Sequence, residues 1–244
     1  MNLEKYIDRA VELYQKAYGK LDAWERERQE ARKKYKTEAL RLTHEAAVEE
    51  NARLVKEFNE KRDAIVNELK DGVAAVEGEF LQEIKAFYAP NGAAINAEDQ
   101  ALLSSGIMTM DEIDEMVLKH AENPTMLRII GRYAAENKLQ LHTATLKAIY
   151  RATSAGEKEQ RIFNQFKQLV NTPVSMAQQG LAGTEAFMTA AIKADEYAKD
   201  AKSRLLLAKV SVSEADMAMA KQMEHENWGA YIARNDPAGM DYLN

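Results

Sequence analysis

The sequence predicts an all-α, elongated protein, and three observations predict it. Apolar residues from Leu3 onward recur at steps of three and four, no proline interrupts residues 1–89, and charged residues make up 30% of the chain against 7% aromatics. The spacing is that of one-sided helices. The composition favours long solvated helices over a turn-rich sheet.

The first element is a long N-terminal coiled-coil helix over 1–89. Its seam runs Leu3, Ile7, Ala10, Tyr14, Ala17, Leu21, Trp24, then Ala31 and Tyr35, in heptad steps. The register becomes irregular at Leu42 and Ala46 and resumes from Val55 through Phe58, Leu69, Val73, Val76, Phe80 and Ile84 to Phe87. A mid-helix stutter accounts for the shift, leaving one helix of about 130 Å. A seam so narrow needs one or two partner helices.

Pro90-Asn91-Gly92 ends this helix, because proline has no amide to donate and Asn-Gly favours a turn. Residues 90–156 read as a compact helical knob with explicit helix starts. Asn96 precedes an acidic first turn, Thr109 and Glu112 form a capping-box pair, and Asn123 with Pro124 gives an N-cap followed by a first-turn proline. Residues 157–210 return to long periodicity through Phe166, Val170, Val174, Ala177, Met188, Ala191, Ala194, Ala198 and Leu205, with a kink or interruption expected at Pro173. This is a helical return arm lying against the first helix. Residues 211–244 hold a C-terminal helix and a flexible tail.

The return arm is about fifty-five residues long against roughly eighty-five in the first helix. Part of the first seam should therefore lack an intrachain mate. Leu3, Ile7, Tyr14, Leu21, Trp24 and Tyr35 are the expected self-association seam, and the chain is expected to be a homo-oligomer.

Charge excludes several function classes. With 33 basic and 39 acidic residues the net charge is −6, so nucleic acid meets a repulsive average field. The run Arg32-Lys33-Lys34-Tyr35-Lys36 reads as a solvated helix face. No cysteine is present, which removes disulfides, thiolate metal sites and cysteine nucleophiles together. Charged residues at positions 4, 5, 8 and 9 leave no signal-peptide core, and no apolar run is long enough to cross a bilayer. Neither a membrane nor a nucleic acid is an expected partner.

Catalytic constellations are also missing. None of His44, His120, His142 and His225 has a glutamate three residues before it, as a di-iron bundle requires. His44-Glu45 and His225-Glu226 lack the second histidine of a zinc-protease helix. Asp111, Glu112, Asp114 and Glu115 are the densest acidic cluster, but acidic residues in a first turn complement the helix dipole. No enzyme, metal or cofactor is expected. Met110, Ile113, Met126 and Tyr133 are the candidate partner surface of the knob.

The stretch from Ala97 through Gln100, Ile107 and Ile113, continuing from Asn123 to Ala134, resembles segments of uncharacterised helical proteins of bacteriophages and prophages of Gram-positive bacteria. The resemblance implies a virion-structure or assembly role, scaffold-like or head-associated, with a capsid or tail component as partner. It implies synthesis in the host cytoplasm and a place in the virion. Many scaffolding proteins end in a basic helix, whereas residues 213–244 here carry two basic and six acidic side chains. The alternative expectation is a regulatory module that engages a host or viral protein through residues 110–133.

Overall fold

The computed structural model describes residues 1–209 and Ala215, and every regular element among them is helical. Apart from Ala215, the expected C-terminal helix and tail lie outside the described residues. The chain divides into two compact units, one formed by residues 1–83 and 158–208, the other, among the described residues, by 84–157 with Lys209 and Ala215.

The first unit begins with α1, Glu4–Glu38, and α2, His44–Tyr88. The single helix expected over 1–89 is broken between them by one 3-10 turn, Ala39–Arg41, and an extended Leu42 with ψ 156°. Thr43 then caps α2, its hydroxyl accepting from the Ala46 amide at 3.4 Å. The two helices run antiparallel. Lys5 pairs with Glu83 at 2.6 Å, Lys16 with Glu68 at 3.3 Å, Trp24 Nε1 donates to the Phe58 carbonyl at 2.8 Å, and the Tyr35 hydroxyl donates to the Ala47 carbonyl at 2.8 Å.

The irregular register at Leu42 and Ala46 is therefore a reversal of direction, not a stutter. The physical reason is burial: one straight helix would leave both seams in water, and folding back sets the Leu3–Trp24 seam against the Phe58–Ile84 seam.

Two more helices complete this unit, α7, Glu157–Gln178, and α8, Thr184–Lys209. α7 stays one helix through Pro173, where a kink or brief interruption was expected. Phe80 stacks on Phe163 with centroids 4.5 Å apart, and Tyr6 meets the Phe80 edge at 5.9 Å. The Tyr18 hydroxyl donates to the Val170 carbonyl. α8 buries Phe187, Ala190, Ala194, Ala198, Ala201 and Leu205, so its seam sits one residue away from Met188 and Ala191 at its first turns, where small side chains permit close approach. The four helices form a bundle with Tyr14 and Tyr18 deep inside. Burial pushes the Tyr14 hydroxyl up to about 12.

The second unit holds the end of α2 with α3, Ala97–Ser105, α4, Met110–Lys119, α5, Pro124–Glu136, and α6, Thr143–Thr153. The three local start signals are formed. Asn96 accepts from the Asp99 amide at 3.0 Å, Thr109 and Glu112 make a reciprocal capping box, and Asn123 accepts from the Met126 amide at 3.1 Å ahead of Pro124. The core gathers Leu103, Ile113, Val117, Leu127, Ile130 and Ala148. Gly156, at φ +88°, turns the chain where a Cβ would lie 2.3 Å from Ile84 Cγ2, so glycine is required there.

Candidate functional site

Two buried carboxylate–imidazole pairs are the most chemical features of the second unit. Asp99 stands in the first turn of α3, and Lys119 and His120 close α4. Asp99 Oδ2 is 2.5 Å from His120 Nε2, and Lys119 Nζ donates to Oδ1 at 2.9 Å. The Lys119 hydrogen bond holds the Asp99 carboxyl below the usual carboxylate range against the opposing effect of burial, with His120 adding to it. A carboxylate at a helix start and a cation at a helix end also complement both dipoles.

The second pair is deeper. Asp114 of α4 takes a hydrogen bond on Oδ2 from the His142 Nδ1 side, and the Thr145 hydroxyl donates to its Oδ1. His142 occupies the cap position of α6 and Thr145 its first turn, so one carboxylate pins the start of α6 to α4. Such a carboxylate–imidazole pair orients histidine in acyl transfer when the other ring nitrogen faces a nucleophile in a cleft. Here Asp114, His142 and Thr145 are all buried, and the hydroxyl points at the carboxylate. The arrangement fastens helices.

The acidic cluster is dispersed by the fold. Glu112 serves the capping box, Asp114 is buried, and Asp111 and Glu115 are exposed. Among the described residues no three His, Asp or Glu side chains gather to hold a metal. Nor is any helix there long and apolar enough to cross a membrane. A small indentation between α1 and α2 is lined by Leu13, Ala17, Ile65 and Leu69 together with Lys16, Lys20 and Glu68, whose charges pair with one another.

Both interaction surfaces expected from sequence are corrected by the structure. Leu3, Ile7, Tyr14, Leu21 and Trp24 are buried in the chain's own bundle, because α2, α7 and α8 cover them. Only Tyr35 lies beyond that cover, half-buried. In the knob, Ile113, Met126 and Tyr133 are buried inside instead of presenting a surface, and Met110 is half-buried. The Tyr133 hydroxyl accepts from the Met108 amide at 3.2 Å.

Among the described residues the fold leaves the far end of the α1–α2 hairpin uncovered, and single apolar side chains such as Ile107, Ile192 and Leu207 are exposed elsewhere. Between residues 26 and 57 no side chain is buried, and four large apolar ones are exposed: Leu40 at 87%, Val48 at 55%, Val55 at 52% and Leu42 at 43%. Val48, Ala52 and Val55 share one face of α2 by their spacing. Lys33, Lys34 and Lys36 stand on α1 of the same arm, with Glu45 and Glu49 on α2. The sequence signal for this arm was the loss of register at Leu42 and Ala46.

Acid should loosen the second unit through Asp99. Its folded value lies below the unfolded one, so its stabilisation is complete above the unfolded carboxylate value of about 4 and is lost as pH falls through the folded value. Asp99→Asn is expected to melt lower than the wild type at neutral pH, and the gap should close below about pH 4. Thermal melts across pH by circular dichroism check it; a gap constant with pH would contradict the assignment. Against family models, curated proteins and solved structures, the chain matches none.

Proposed function

We propose that this chain is a non-catalytic, self-associating helical protein that works in assembly, in the virion setting that the 97–134 resemblance implies. One observation supports the reading most. The helix pair α1–α2 continues past the bundle for residues 26–57 with no buried side chain and an exposed valine face. A two-helix hairpin with apolar residues in water has surface to offer a further helix, and such faces mark contacts. The buried, helix-fastening use of both carboxylate–imidazole pairs supports the non-catalytic part.

Solution mass measured by light scattering over a wide concentration range tests the reading. Mass is expected to rise from one chain toward two or more as concentration increases. A mass of one chain at every concentration would sink it.

A further inference from the structure

We infer that the arm docks, antiparallel, on the arm of a second copy, the two together completing a four-helix bundle. This rests on the self-association just proposed and names its surface and geometry.

The heights of the elements carry the inference. Tyr18 meets Val170, and Phe163 stacks on Phe80, which Tyr6 meets edge-on, so Gln178 at the end of α7 lies between the heights of Leu21 and Arg26 of α1. Gln15 meets Asp195 at 2.9 Å, and α8 begins eleven residues earlier at Thr184, level with Arg26. Both covering helices therefore stop at or below the height of Arg26. From there α1 and α2 run on for about 20 Å to Leu40 as half of a four-helix bundle. Two identical halves supply each other's missing helices, and a two-fold axis across the arms makes the contact self-complementary.

Three further features fit that axis. Counting from the Tyr35–Ala47 contact puts Lys33 and Lys34 level with Glu49 and Val48, midway along the arm. Around the axis the lysines of one α1 then face the carboxylate of the other α2. Lys33, Lys34 and Glu49 have no ion-pair partner of their own within the described residues. Leu40 and Leu42, at one arm's end, reach the height of the other copy's α7–α8 turn, where Leu181 is 67% exposed. A two-helix face this short is at the small end of stable interfaces, so association should depend on concentration.

Val48→Glu with Val55→Glu places charge on exposed positions, so helicity by circular dichroism is expected to stay unchanged. The dissociation constant from sedimentation equilibrium should rise by about tenfold or more. Orientation is read by cross-linking, which the cysteine-free sequence makes clean. Leu40→Cys chains mixed with Leu181→Cys chains should give a covalent dimer with a short bismaleimide, and Leu40→Cys alone should not.

Self-association unmoved by the valine variant overturns the arm contact while leaving self-association standing. Leu40→Cys joining to itself overturns the antiparallel mode. A chain that stays monomeric but floats with phosphatidylserine vesicles overturns both this inference and the reading it rests on.

Discussion

Phe80→Ala is expected to lower the unfolding free energy by about 3–5 kcal/mol, the cost of emptying a phenylalanine site in a packed core. Phe80 is fully buried, stacked on Phe163 and met edge-on by Tyr6, so it joins three of the four helices of the first unit. A cavity there removes dispersion contacts that none of the three helices can restore by moving alone. Urea unfolding followed by tryptophan fluorescence measures it, because Trp24 is buried in the same unit. Phe80→Leu should lose much less. A loss below about 1 kcal/mol for the alanine variant would mean that α1, α2 and α7 do not share one core.

Asp114→Ala is the second large effect, expected at about 3 kcal/mol on the second unit. The carboxylate accepts from the His142 imidazole and the Thr145 hydroxyl, and deleting it takes this acceptor from two polar groups out of water. The start of α6 should open first, since both donors sit there. Amide hydrogen exchange should show loss of protection at residues 143–148 before the other helices. Glu115→Ala, one residue along on an exposed position, should stay within about 0.5 kcal/mol. Equal effects at the two positions would contradict the fastening role.

The knob's helix starts were legible because capping is local. Asn96, Thr109 with Glu112, and Asn123 with Pro124 need partners only two or three residues away, and those partners are in the same stretch of sequence. The reversal at Ala39–Thr43 was not legible in that way. No glycine or proline marks it, and the residues there are compatible with helix. Only the energy of bringing two seams together selects the turn. The carboxylate–imidazole pairs were hidden for a related reason: Asp99 and His120 are 21 residues apart and Asp114 and His142 are 28 apart, so no spacing rule within one helix connects them.

The interaction sites show the same division. Leu3, Ile7, Tyr14, Leu21 and Trp24 were recognisable as residues that must leave water, and they do. Their mates were not recognisable, because periodicity says which face is buried and carries no label for what buries it. By itself the sequence determined the helical class, the apolar faces and the capped starts, all functions of neighbours within a few residues. Tertiary structure alone decided that α1 meets α2, that α7 and α8 stop at or below the height of Arg26, and hence that, among the described residues, the arm beyond them stays uncovered. Those outcomes depend on competition among long-range packings of similar local sequence, which only the summed burial of the whole chain resolves.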